Sequence, residues 1–379
     1  MSGRTTRVPF NERGGPVRGL IDLLSGRYPA FLFGASPAGF LPVFHFHEVT
    51  PAELEPKLQF LAENGYTTVD SEAIARLVVD GVHPGPFHVA LGFDDAWASL
   101  WTVAGPLLRR YGFRAITYAI PERVTEADGL RPTIDDGLET PGALDRSDTP
   151  FATWPELKAL HDSGVVDVQS HTLSHAMIFT ADRLMDFVTP AYAAGYRLSR
   201  PLVEAAPRWR YQAPEELGAP LFLQRSRMSD GLRFLVPDEA RQRPMAHVAA
   251  NGGPAFFERP GWRRELAALV RPALQASYET ADEQQRAIID QLGRSREILN
   301  ARLGTRHVRH ICLPWGVGGE VTLRALRATG YQTAFSNRIR GALAVRAGDP
   351  VYRLKRLPNK HLYRLPRRGR SWSIPARTR

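Results

Sequence analysis

The sequence predicts an α/β barrel of parallel strands interrupted by one long insertion, and three observations predict it. From about residue 39, short apolar runs alternate with helix-length amphipathic segments, the pattern of parallel strands joined by helical crossovers. Four of those runs end in chemically conspicuous residues: Phe44-His45-Phe46-His47-Glu48, Phe93-Asp94-Asp95, Gln169-Ser170-His171 and Leu313-Pro314-Trp315-Gly316. The carboxyl ends of strands are where barrel folds gather their chemistry. Finally, the alternation lapses after His175 and resumes near Asp282, which makes the middle of the chain an insertion or subdomain.

Taken in order, Phe40 to Phe46 reads as a buried strand, Pro51 to Asn64 as a helix stopped by Gly65, and Tyr66 to Val69 as a short strand. Ser71 is expected to cap a helix running to Asp80. Phe87 to Phe93 is the strand that delivers Asp94 and Asp95. Trp97 to Tyr111 reads as one helix closed by Gly112, and Arg114 to Ile120 as the next strand. Asp135 and Asp136, in the polar stretch from Pro121 to Pro150, follow no apolar strand and read as ordinary loop carboxylates. Thr153 caps a helix to Asp162, and Val165 to Gln169 is the strand before the imidazoles. Repeated prolines and scattered aromatics then break any period. A helix from Asp282 to Leu303, a strand at His307 to Leu313, a helix at Glu320 to Thr329 and a strand at Tyr331 to Phe335 restore it. The expected organisation is an N-terminal extension over 1–38, a barrel over 39–180 and 281–360, an insertion over 181–280 and a basic tail over 361–379.

The 379 residues are 43% hydrophobic, ample for a large core. One cysteine, Cys312, excludes both an internal disulfide framework and a thiolate metal cluster, so a bound metal would use nitrogen and oxygen ligands. The net charge of +10 comes from 45 arginines and 4 lysines dispersed along the chain. Dispersal argues against a nucleic-acid footprint, which requires clustering on one face. The first forty residues show neither a signal-peptide pattern nor an apolar run long enough to span a bilayer, so the expected setting is cytoplasmic.

Two adjacent carboxylates at a strand end repel unless their roles differ. A metal ion separates them: one carboxylate binds the cation while its neighbour stays free to move a proton. Asp95, His171 and His175 would supply three protein ligands and leave positions open for water. Trp315 reads by default as a lining aromatic, and of His45 and His47, two apart on one strand face, only one need be functional.

These residues resemble the polysaccharide deacetylases, the NodB-homology or carbohydrate esterase 4 group. Gly92-Phe93-Asp94-Asp95-Ala96 is similar to the family's T-F-D-D-G motif, His171-Thr172-Leu173-Ser174-His175 to H-[ST]-x-x-H, and Leu313-Pro314-Trp315-Gly316 to P-[YFW]-G. Phe46-His47-Glu48-Val49 resembles the Y-H-x-V opening of the subgroup that carries its last catalytic motif at the N-terminal end. The resemblance covers roughly residues 39 to 178 and 282 to 357. It implies a distorted (β/α)7-like NodB-type barrel and a divalent metal, zinc first, on Asp95, His171 and His175. Asp94 would be the general base, His47 the general acid and the Trp315 backbone N–H an oxyanion donor. The implied reaction is removal of an acetyl group from an N-acetylated sugar or glycan intermediate.

Three departures qualify the transfer. Ala96 stands where the family has glycine, a mild change if the backbone there is ordinary. Cys312 stands where many members have an arginine that orients the base, so another arginine must substitute or Asp94 is tuned differently. The C-terminal end shows Leu357-Pro358-Asn359-Lys360-His361 in place of a clear L-x-H, with His361 as the fallback acid. Arg197, Arg200, Arg208, Trp209, Arg210, Tyr211, Arg225 and Arg227 of the insertion suit either a glycosyl or phosphorylated ligand or a subunit interface of a homo-oligomer. The competing functional readings are hydrolysis of a non-sugar amide or imide at the same site, and a catalytically inactive glycan-binding module.

Overall fold

The computed structural model describes residues 39–139, 148–195, 197–205, 208–336 and 344–366; the expected N-terminal extension and the tail beyond Pro366 lie outside them. In chain order the first elements are β1 (Val43–Phe46), α1 (Pro51–Glu63), β2 (Thr67–Thr68), α2 (Ser71–Asp80), β3 (His88–Asp95), α3 (Gly105–Tyr111), β4 (Ala115–Ala119), α4 (Trp154–Asp162) and β5 (Val166–Ser170). Then come β6 (Met177–Phe187), β7 (Leu202–Ala205), β8 (Arg208–Tyr211), β9 (Pro220–Ser226), α5 (Asp238–Ala250) and α6 (Trp262–Val270). The chain closes with α7 (Ala281–Leu303), β10 (His310–Cys312), α8 (Glu320–Ala328), β11 (Thr333–Phe335) and β12 (Leu357–Pro358).

The chain divides into two compact units. One holds the described residues up to Ser174, Leu292–Gly316 and the described residues from Leu326 onward; the other holds His175–Gln291 and Val317–Ala325. In the first unit the strands run in the order β11-β10-β5-β4-β3-β1-β12, with β2 paired to the start of β3, and every pairing is parallel. A parallel bridge between Phe335 and Leu354 links the two edges, since Leu354 lies just before β12. The sheet is a NodB-type α/β barrel sheet with both faces covered, which is why its strands read as apolar runs. Alternate residues enter different cores. Phe44, Phe46, Leu91, Phe93 and Val168 pack with Leu58, Leu107 and Leu157 of the surrounding helices. Val43, Ala90, Ile116, Tyr118 and Phe335 pack with Ile74, Leu77 and Val78 of α2.

Local details correct several boundaries. Asp70, not Ser71, is the N-cap of α2: its Oδ1 accepts from the Ala73 N–H at 3.0 Å, and Ser71 is the first helical residue, its hydroxyl donating to Asp167. The helix expected from Trp97 to Tyr111 instead opens with a π-turn over Leu100–Ala104 before α3. The supposed tail begins later than residue 361, because Leu362 and Leu365 are buried in the barrel core and the Tyr66 hydroxyl donates to the Pro366 carbonyl. Asp135 and Asp136 lie in a short 3-10 turn, with Asp135 paired to Arg110 at 2.8 Å.

The second unit has its own core, with Phe179, Phe187, Phe222, Phe234, Phe256, Trp262 and Leu266 packed together. It contains two antiparallel pairs, β6 with β9 and β7 with β8. Several of its arginines are structural. Arg227 is buried on Glu279, and Arg210 and Arg241 converge on Glu216. Of the insertion arginines that suit a ligand or an interface, Arg227 is buried and held by Glu279, and Arg210 is half-exposed and paired with Glu216.

Candidate active site

The site begins with the alternation of β3. Asp94 has the same parity as Ala90 and Gly92, which places it on the side of the sheet that holds Tyr118 and Phe335. A Cβ on Gly92 would come to 3.3 Å from the Tyr118 ring and 3.8 Å from an Arg356 Nη1, so the glycine keeps open the lane along which Arg356 enters. Arg356 stands immediately before β12. Its Nη1 donates to Asp94 Oδ1 at 2.6 Å and its Nη2 to Asp94 Oδ2 at 2.8 Å, a bidentate pair between two buried side chains. The guanidinium also lies 5.6 Å from the ring centroids of both Tyr118 and Phe335.

Burial alone would push the Asp94 carboxyl up, but the Arg356 charge and hydrogen bonds prevail and hold it well below the usual carboxylate range. Asp94 is therefore an anion near neutral pH. Cys312 stands where an arginine beside Asp94 was expected; the arginine that meets Asp94 is Arg356. No local signal in the sequence singles this residue out.

Asp95, His171 and His175 are all buried and present three ligand atoms within 4.8 Å of one another. His171 Nε2 is 3.3 Å from Asp95 Oδ1, and its Nδ1 lies 2.6 Å from the Cys312 carbonyl. The carbonyl is an acceptor only, so Nδ1–H donates to it and Nε2 is turned toward Asp95, the arrangement that orients a ligating imidazole. Gln169 locks the supporting strands: its Oε1 accepts from the Arg309 and His310 N–H groups, each at 3.0 Å, and its Nε2 donates to the His307 carbonyl at 3.1 Å. Trp97 Nε1 donates to Asp95 Oδ2 at 3.0 Å.

The backbone is strained where these residues sit. The non-glycine residues with positive φ among those described are Asp95, Ala96, Thr172, His175 and Trp315, at 70°, 55°, 65°, 54° and 58°. All five lie on the strand-end turns that carry the predicted site. Such conformations cost an L-residue on the order of 1–3 kcal/mol and persist where the surrounding structure imposes them. The backbone at Ala96 is thus not ordinary, so what alanine costs there is set by the balance between that strain and the burial of its methyl group.

His47 Nε2 is 3.7 Å from Asp94 Oδ2, and the side chain is about half exposed, 47% against 4% for Asp94. His45 stands edge-on to it with ring centroids 5.8 Å apart. Burial, reinforced by the Arg356 charge, lowers the His45 imidazole to about 4, so it is neutral near pH 7. Of the two, His47 alone combines access to solvent with proximity to Asp94. His361 is buried in a 3-10 turn over Asn359–Arg364. Trp315 lies in the turn Pro314–Gly316 with its indole 47% exposed.

One buried carboxylate and two buried imidazoles fit a divalent cation in both number and chemistry. The nitrogen and oxygen donors suit zinc and its first-row neighbours. Residues 81–190, which include Asp94, Asp95, His171 and His175, match the family described as polysaccharide deacetylase. Over this stretch the chain is similar to the polysaccharide deacetylases. Among its relatives is YxkH of Bacillus subtilis (strain 168), whose name places it with the polysaccharide deacetylases. It is 21% identical over 143 residues, a stretch of 36% of this chain and 43% of YxkH, so the match spans less than half of that relative. Two solved structures share the fold. The de-N-acetylase from Aggregatibacter actinomycetemcomitans superposes with a TM-score of 0.51 at 15% identity, over 84% of this chain and 95% of its own. The BpsB deacetylase domain from Bordetella bronchiseptica gives 0.52 at 15% identity, over 85% and 96%.

Proposed function

We propose that this chain is a polysaccharide deacetylase, a metal-dependent hydrolase that removes an acetyl group from an N-acetylated sugar or glycan intermediate. The observation that carries the reading is the division of labour between adjacent carboxylates: Asp94 is held by Arg356, while Asp95 faces His171 and His175.

In this reading Asp95, His171 and His175 hold a divalent cation, most simply zinc, which when bound acidifies water and polarises the acyl oxygen. Asp94, kept anionic and fixed in orientation by Arg356, accepts the proton of the attacking water. His47 carries a proton to the departing amine, a poor leaving group without it. The Trp315 backbone N–H is the proposed donor to the oxygen that gains charge. The exposed Trp315 indole offers an apolar face to the sugar ring. Among the described residues no helix is long and apolar enough to cross a membrane; the cytoplasmic setting belongs to the same proposal.

The test is bound metal per chain and acetate release from N-acetylglucosamine oligosaccharides, in wild type and in the His171→Ala, His175→Ala double variant. Near-stoichiometric zinc and acetate release, both lost in the variant, are the expected result. Equal metal content in the two proteins would overturn the ligand assignment, and a metal-replete wild type that releases no acetate would overturn the deacetylase reading.

A further inference from the structure

The second unit exposes an aromatic cleft that the chemistry above does not use. Trp209, on β8, is 43% exposed, and Leu235, which lines the same cleft, is 36% exposed. Arg233 stacks its guanidinium 3.6 Å from the Trp209 ring centroid. Its Nε is buried without a hydrogen-bond partner among the described residues. Burial lowers the Arg233 guanidinium to about 10, and the neighbouring Arg227 charge adds to the effect. Trp209, Arg233, Leu235, Glu204 and Asp238 line one cleft.

The charge pattern narrows the occupant. Arg241, which also lines the cleft, is already engaged by Gln212 at 2.9 Å and Glu216 at 2.7 Å. That leaves two carboxylates, Glu204 and Asp238, against the single cation of Arg233. An anionic ligand would meet net repulsion. A purely apolar one would leave the buried Arg233 Nε without a partner and strip water from the exposed carboxylates. Hydroxyl groups both donate and accept, so a polyol can donate to the carboxylates and accept from the guanidinium while its C–H face lies on an indole.

We propose that this cleft is a saccharide-binding site, taking one neutral, hydroxyl-rich sugar residue of a glycan chain against the exposed indole of Trp209. The inference rests on the deacetylase reading for the choice of glycan and gives the second unit a glycan contact of its own.

The experiment is calorimetric titration of the full chain with N-acetylglucosamine hexamers, β-1,4- and β-1,6-linked, in wild type, Trp209→Ala and Arg233→Met, with acetate release followed in parallel. At least one hexamer is expected to bind the wild type. Each variant should weaken that binding about tenfold, with an unchanged circular dichroism spectrum and unchanged turnover of the monosaccharide. An oligogalacturonate of equal length should bind more weakly than the neutral chain. Absence of hexamer binding to the wild type, or unchanged affinity in both variants, would overturn the site. So would a Trp209→Ala variant that dissociates a wild-type dimer while binding hexamer normally, since the cleft would then be a self-association surface. Hexamer binding that the variants abolish, with no acetate released by any protein, would leave the site standing and count against the deacetylase reading.

Discussion

Arg356 grips Asp94 with both terminal nitrogens, at 2.6 and 2.8 Å, from 262 residues along the chain. The pair joins the end of β3 to the start of β12, on opposite sides of β1 in the sheet. The same contact thus fixes the sheet locally and sets the charge of the proposed base.

The pH consequence follows from its sign. Arg356 depresses the Asp94 carboxyl in the folded protein, so its stabilising contribution is present above the unfolded carboxylate range and is lost as pH falls toward the depressed value. Without Arg356, burial, which raises Asp94, is opposed only by the weaker effects of His171 and His47, so the carboxyl rises from its depressed value. Arg356→Met is therefore expected to lower kcat/KM by about a hundredfold or more and to move the acid limb of the pH–rate profile upward, with Arg356→Lys intermediate. An unshifted acid limb in Arg356→Met would mean that Asp94 is not the group that accepts the proton.

The two candidate acids make different predictions. His47 is half exposed beside Asp94, whereas His361 is buried in a packed turn. His47→Ala should lower kcat by about a hundredfold or more with little change in the urea midpoint. His361→Ala should instead shift the midpoint, leaving a folded fraction of near-normal kcat. The reverse pattern would transfer the acid to His361.

Much of this site was legible because strand ends are local. Asp94 and Asp95 are adjacent, His171 and His175 are four apart, and each pair closes an apolar run, so their convergence needed only the parallel sheet. Arg356 was not legible. It is one of 45 arginines, and its role depends on β12 pairing with β1, a tertiary fact that a two-residue strand does not announce. The second unit was read as irregular for a physical reason as well. The pairing of β6 with β9 shifts register between Phe179 and Leu184 and again between Leu184 and Asp186, which erases the two-residue alternation, and Pro244 lies inside α5. Its arginines read alike in sequence, and only burial separates the structural Arg227 from the exposed sites.

Ala96 offers a test of the strain at the acidic motif. Its φ of 55° is in the left-handed region and its side chain is fully buried. Ala96→Gly relieves about 1 kcal/mol of backbone strain but removes a buried methyl worth about 0.8 kcal/mol, so the urea midpoint should scarcely move. Ala96→Val adds a branched side chain to that same backbone and should cost about 3 kcal/mol. A tolerated valine would show that the left-handed turn is not imposed by its surroundings.

The buried Arg227–Glu279 pair makes the last prediction, this one about the second unit. Arg227 Nη2 donates to Glu279 Oε2 at 2.8 Å, and Glu279 Oε1 also accepts from the Arg233 backbone N–H at 2.8 Å. A buried pair adds little net stability over an apolar replacement, yet breaking it strands a charge at a cost of about 3–5 kcal/mol. Glu279→Gln keeps an acceptor for the Arg233 N–H and most of the volume, so any loss it shows reports the stranded Arg227 charge. It should destabilise the protein by about 3 kcal/mol in urea unfolding. The double variant Arg227→Met, Glu279→Leu should recover most of that loss, because no buried charge remains. If Glu279→Gln were neutral and the double variant destabilised, shape rather than charge would be what Arg227 contributes to this core.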